Sequence, residues 1–257
     1  MTMPLEILTV PCRTDNYAFL LHNDETGETA LVDAPEAAPI EAALSARGWT
    51  LDYILITHHH YDHVDAVEPL RNRDNAQVYG AANDAHRLPP LDQTLNDGET
   101  LSLLGEELRV MDVSGHTIGH IAFHFPHSKA VFTADSLMAL GCGRLFEGTP
   151  KQAFDSLCAL ASLPEDTIVY SGHEYTQANA KFALTIEADN PALIERVADI
   201  NAARESGRPT VPSSLVLERA TNPFLRADQP GIKIALGLED QDALAVFTEI
   251  RQRKDNF

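Results

Sequence analysis

The densest chemistry in this chain lies in Thr57-His58-His59-His60-Tyr61-Asp62-His63. In extended backbone alternate side chains share a side, so His58 and His60 can face one point, and Asp62 and His63 follow within reach. Neutral imidazoles and a carboxylate are natural ligands for a borderline divalent cation such as zinc, and iron and manganese accept the same mixture. No thiolate is needed. An isolated His-x-His is as often a solvated loop as a ligand pair, but four candidate ligands between positions 58 and 63 argue for metal.

The element that delivers this motif is the apolar run at residues 53–56, which reads as a buried strand. Open α/β sheets keep their ligands at the carboxyl edges of such strands. The same succession recurs three times: a strand-like run at 108–113 ends in Ser114-Gly115-His116, one at 130–133 in Ala134-Asp135, and one at 167–170 in Ser171-Gly172-His173. A sheet brings such ends together although the sequence separates them. His58, His60, Asp62, His63, His116, Asp135 and His173 are too many donors for one zinc; they suit two metals sharing a bridging carboxylate and a bridging water or hydroxide. His22, His59, His86, His120, His124 and His127 are not assigned as ligands, because a lone histidine is more often structural.

Around these ends, runs at 5–10, 17–21 and 29–32 separated by Asp15-Asn16 and residues 23–27 predict an antiparallel meander. Residues 35–47 predict a helix closed by Gly48, and 65–71 a short one. Further strands are expected at 77–79 and 121–125. Thr149 as cap with Pro150 in the first turn predicts a helix over 149–163. From Thr176 onward strands are expected to stop and alanine-rich helical segments to take over, with 191–206 and 243–254 as examples and 207–214 as a loop.

At 257 residues the chain is long enough for a large α/β core with an appendage. Its formal charge of -19 repels phosphate backbones and anionic membranes, which argues against nucleic acid and membrane partners. Three widely spaced cysteines, Cys12, Cys142 and Cys158, argue against a disulfide framework and for a reducing compartment. Residues 1–10 lack a signal-peptide pattern, and no apolar run reaches membrane-spanning length. A cytoplasmic location is expected.

The motif Thr-His-x-His-x-Asp-His, with Gly115-His116-Thr117, Phe132-Thr133-Ala134-Asp135 and Gly172-His173-Glu174-Tyr175, resembles the metallo-β-lactamase superfamily. Within it, residues 141–149 (Gly-Cys-Gly-Arg-Leu-Phe-Glu-Gly-Thr), Ser171-Gly172-His173-Glu174-Tyr175-Thr176 and Arg251-Gln252-Arg253-Lys254-Asp255 resemble the glyoxalase II, or hydroxyacylglutathione hydrolase, family. The resemblance implies an α/β fold, an αββα sandwich over residues 1–172 with the metal site, and a small α-helical domain over 173–257 that helps hold glutathione. It implies one metal on His58, His60 and His116, the other on Asp62, His63 and His173, with Asp135 bridging.

Asp62 and Asp135 would orient the nucleophilic hydroxide, so no side-chain nucleophile is required. The two metals per chain are expected to be zinc, with iron or manganese also accepted. The implied reaction is hydrolysis of S-D-lactoylglutathione, a small-molecule thioester, to D-lactate and glutathione, with no obligate protein partner. Arg144, Phe146, Tyr175, Arg251 and Lys254 are the implied substrate contacts; Arg251 and Lys254 share a helix face, although a basic helix end is also favoured by the macrodipole alone. Phe146 stands where some relatives carry Tyr, and Ala134 where Gly is frequent. The alternative is a mononuclear iron glutathione persulfide dioxygenase, a branch that shares the histidines.

Overall fold

Alternation of apolar residues with turns at Arg13-Thr14-Asp15 and around Gly27 drives the first three strands, β1 (Glu6–Cys12), β2 (Asn16–His22) and β3 (Thr29–Val32), into the expected antiparallel meander. The computed structural model of the chain describes residues 3–257; Met1 and Thr2, the start of the segment expected to carry no leader, lie outside it. By its internal contacts the chain forms two compact units, one of residues 1–112 and 118–133, the other of 113–117 and 134–257.

In the first unit, α1 (Ala37–Arg47) follows β3 and ends at Gly48, whose φ of 69° is the left-handed geometry that a C-terminal cap requires. The chain then adds three parallel strands, β4 (Tyr53–Leu55), β5 (Gln77–Ala81) and β6 (Gln93–Leu95), to give a six-stranded mixed sheet in sequential order. Two short helices, α2 (Tyr61–Val64) and α3 (Val67–Asp74), fill the β4–β5 crossover. A second, antiparallel run follows: β7 (Thr100–Leu103), β8 (Glu106–Asp112), β9 (Ile121–Phe125) and β10 (Ala130–Ala134). Phe19 of β2 meets Phe132 of β10 with ring centroids 5.5 Å apart, so the two sheets pack through their apolar faces. Ile40 and Leu44 of α1 and Val67 and Leu70 of α3 join Leu20, Leu31, Ile54 and Val78 in one buried cluster.

The second unit contains a tight hairpin, β11 (Leu137–Met138) and β12 (Gly141–Cys142), then α4 (Pro150–Ala161) and β13 (Ile168–Ser171). The cap of α4 forms as expected: Thr149 and Gln152 make a reciprocal capping box with Pro150 in the first turn. Helices α5 (Thr176–Ile186), α6 (Pro191–Glu205), α7 (Leu215–Thr221), α8 (Pro230–Leu236) and α9 (Ala243–Asp255) complete it. The expected end of strands after Thr176 needs one correction, because β14 (Ser213–Ser214) pairs with β13. Leu140, Ala180, Ala183, Leu193 and Ile200 form one buried cluster of the unit, and Phe182, Phe224 and Phe247 lie in an aromatic chain beside it. Among the described residues no helix is long and apolar enough to cross a membrane.

Candidate metal centre

The first group of donors sits where β4 ends and α2 begins. His60 is extended (φ -60°, ψ 140°) and caps α2, so the motif changes conformation at its middle: His58 and His60 project from extended backbone, whereas Asp62 and His63 belong to a helical turn. His58 Nε2 and His60 Nδ1 are 3.1 Å apart, and His63 Nε2 is 3.8 Å from Asp62 Oδ2.

Hydrogen-bond direction fixes the imidazole protons. A carboxylate only accepts, and Asp33 accepts from the Thr57 amide at 2.9 Å, the Thr57 hydroxyl at 2.8 Å and His63 Nδ1 at 2.8 Å. The Thr57 hydroxyl thus spends its proton on Asp33 and receives one from His58 Nδ1 at 3.0 Å. His58 and His63 are therefore both held with Nδ1 as the donor, which turns Nε2 of His58 toward His60 and Nε2 of His63 toward Asp62. Donation of the other ring N–H to an oxygen acceptor is how metal-binding histidines are oriented.

Asp33 is a residue the spacing argument passes over. It lies just past β3, in the same strand-then-donor pattern, with a strained φ of 56°. Its oxygens come within 4.8 Å of the His58 and His63 nitrogens, yet both are occupied by the bonds just described, so its role is orientation. Asn16, buried at the start of β2, donates to Asp62 Oδ2 at 3.0 Å. His120 stacks on His58 with centroids 4.6 Å apart and planes 11° from parallel. His59 turns aside to Asp84 at 2.9 Å, as a structural residue would.

The second unit holds His116, Asp135 and His173. Asp135 lies between the two imidazoles: Oδ2 is 3.4 Å from His116 Nε2 and Oδ1 is 3.4 Å from His173 Nε2. His116 Nδ1 donates to the Arg144 carbonyl at 2.7 Å, so that Nε2 is the nitrogen turned to Asp135. Ala134 carries a positive φ of 40° in order to present Asp135, which is why glycine suits that position. All three donors are buried.

These groups fit a divalent cation. Ligands bound about 2.0–2.1 Å from a tetrahedral zinc stand roughly 3.3 Å from one another, and the donor pairs within each unit are 3.1 to 3.8 Å apart.

Of the expected substrate contacts, Phe146 meets the His116 ring edge-on at 5.3 Å and Tyr175 stacks on His173 at 4.6 Å, both with exposed side chains. Arg144 is exposed and pairs with Asp255 at 3.3 Å. Lys254 lies 5.1 Å over the Phe182 ring, and burial, with Arg251 beside it, lowers its pKa. Arg251 differs from the others: it is buried and bonded to main-chain carbonyls and Asp255.

Residues 14–173 match the family model described as Metallo-beta-lactamase superfamily. A solved structure of ETHE1 from Myxococcus xanthus has the same fold, with a TM-score of 0.68 over 97% of this chain and 90% of that one at 24% identity. The class is thus the αββα metallo-β-lactamase sandwich with a helical C-terminal region, built to bind divalent metal. Residues 174–257 match the model described as Hydroxyacylglutathione hydrolase C-terminus. The hydroxyacylglutathione hydrolase of Ruegeria pomeroyi is 62% identical over 99% of this chain and 100% of its own length. The chain belongs to the hydroxyacylglutathione hydrolase family, a family of hydrolases. Another relative of known structure, TTHA1623 in a di-iron-bound form, is 27% identical over 86% of this chain and the whole of that one, with a TM-score of 0.62.

Proposed function

We propose that the two donor groups serve one binuclear centre, with His58, His60 and His116 on one metal, Asp62, His63 and His173 on the other, and Asp135 bridging, and that the enzyme hydrolyses S-D-lactoylglutathione to D-lactate and glutathione. The observation that carries the reading is Asp135, which offers one oxygen toward each of two imidazoles. Two metals, zinc by preference, would lower the pKa of a shared water from about 15.7 toward roughly 7 and polarise the acyl carbonyl.

The protein's own share is orientation. Asp62, held by Asn16, and Asp135 direct the attacking water. The two buried thiols are poor nucleophiles, since burial pushes Cys12 up to about 12 and raises Cys142 as well. The departing glutathione thiolate, with a pKa near 8.5 as a free thiol, leaves with little help from an acid.

Phe146 beside His116 and Tyr175 on His173 would contact the tripeptide, while Arg144, Arg251 and Lys254 would supply positive charge for its carboxylate. In this division of labour residues 1–172 carry the metal domain and 173–257 the glutathione-binding helices. The three free cysteines and the charge of -19 support a reducing cytoplasm with no nucleic-acid or membrane partner.

Thioester absorbance tests the proposal. S-D-lactoylglutathione is consumed by the metal-loaded protein, is spared after chelation and is consumed again once zinc or iron is restored. An intact thioester at full metal occupancy refutes it.

A further inference from the structure

His59 stands between two candidate ligands and is itself held elsewhere. Its Nδ1 donates to Asp84 Oδ2 at 2.9 Å, and Asp84, in the short 3-10 turn Ala82–Asp84 that follows β5, is buried. The other oxygen of that carboxylate is also engaged: Oδ1 accepts from Arg87 Nε at 2.7 Å and from Nη2 at 2.5 Å. The guanidinium offsets the charge that burial would otherwise penalise. Asp84 is also pressed against backbone. A Cβ on Gly119 would lie 2.4 Å from Asp84 Cγ and 2.8 Å from its Oδ1, so residue 119 can carry no side chain while the carboxylate stays in place.

The sheet explains why these groups meet. β4 and β5 are parallel neighbours with Leu55 opposite Tyr79, and the Ile56 amide donates to the Tyr79 carbonyl. The turn after β5 therefore emerges beside the motif that leaves β4. In extended backbone the side chain between two that share a side points the other way. His58 Nε2 and His60 Nδ1 come within 3.1 Å of each other while the middle ring goes to Asp84. A tether on the middle side chain fixes the rotation of the segment about its own axis, and with it the direction in which both neighbours point.

We propose that His59 and Asp84 are a positioning pair for His58 and His60: the bond between them, braced by Arg87 and by the bare backbone of Gly119, keeps the two flanking imidazoles aimed at one point. This rests on the reading of His58 and His60 as ligands of one metal. It gives the third histidine of the motif a task that is neither coordination nor substrate contact.

The test compares three variants that touch no donor. His59→Leu removes the tether, His59→Asn keeps a short side chain with an N–H for Asp84, and Gly119→Ala displaces the carboxylate without removing a polar group. Arg71→Met, which breaks the Arg71–Asp92 ion pair in the same unit, shows what a merely structural loss looks like. Four quantities are read: the affinity of each zinc equivalent by chelator competition, the visible absorption of the cobalt-substituted protein, kcat and KM on S-D-lactoylglutathione, and a urea melt of the metal-free chain.

Removing a group that orients a ligand costs about 10–100-fold in metal affinity or activity. His59→Leu and Gly119→Ala should therefore weaken one zinc equivalent and lower kcat by about that factor, with an altered cobalt spectrum and KM little changed. His59→Asn should stay close to the parent. Arg71→Met should shift the melt and leave both zinc affinities and the cobalt spectrum alone.

Parental zinc affinities and cobalt spectra in His59→Leu and Gly119→Ala would overturn the proposal, whatever their melts show. So would an Asn variant that falls as far as the Leu one, since the bond to Asp84 would then not be what matters. If Gly119→Ala does not fold, the two His59 variants decide. A parent that holds two zinc ions but leaves the thioester intact sinks the substrate reading and leaves this test standing on zinc and cobalt, whereas a parent that binds no zinc sinks both.

Discussion

Asp33 illustrates how one carboxylate governs two imidazoles. It accepts the Nδ1 proton of His63 directly and that of His58 through the Thr57 hydroxyl, so a single charge determines which nitrogen each ring presents. Asparagine at this position keeps the shape but brings an N–H against one of these three donors, where only an acceptor fits. Asp33→Asn should lower kcat by about 10–100-fold while leaving the far-UV circular dichroism unchanged. A variant with the parent's rate would mean that His63 is oriented by something else. The seven donors are legible in the sequence because their types are distinctive and each follows a strand. Asp33 follows one too, but a single Asp after a strand is indistinguishable from a turn residue until its three partners are in place.

At the scale of elements, β9 carries a buried histidine outside the metal centre. His124 faces Val131 on one side and Arg109 on the other across the antiparallel ladder, and its pKa is pushed down to about 4, by burial first and by the Arg109 charge second. Its ordinary value is about 6.5. Above pH 6.5 the ring is neutral whether the chain is folded or not, and its linkage contribution vanishes. As the pH falls from 6.5 toward 4, the unfolded chain takes up a proton that the folded one refuses, and stability declines by roughly 3 kcal/mol in all. His124→Phe should flatten that part of the curve, which urea melts at pH 7, 5.5 and 4.5 would reveal; an unchanged slope would assign the acid loss to other groups. The alternation of β9 is readable from sequence, but its histidine looks half-exposed until β10 and β8 cover it. The short strands β6 and β7 escape prediction for a related reason: three or four residues carry too little periodicity, and pairing with β5 and β8 decides them.

For the whole molecule, the donors are divided between the two compact units: His58, His60, Asp62 and His63 in one, His116, Asp135 and His173 in the other. The strand-end pattern makes all seven readable, yet the sequence offers no hint that residues 113–117 leave the first unit for the second, because that assignment depends on packing of the chain around them. If both groups serve one centre, metal stabilises the native state alone, by about 4 kcal/mol when free metal exceeds its dissociation constant a thousandfold. For a chain of this size 1 kcal/mol moves the melting temperature by about 2–4 °C, so chelation should lower it by roughly 10 °C. The acidic charge of -19 supplies a competing explanation, since cations could act merely by relieving repulsion. That effect is screened by salt, with a Debye length of only about 3 Å at 1 M, whereas coordination by buried imidazoles is not. Repeating the melt of the chelated protein in 1 M sodium chloride separates the two: a melting temperature that stays low assigns the loss to the centre, and full recovery would mean that metal contributed only charge.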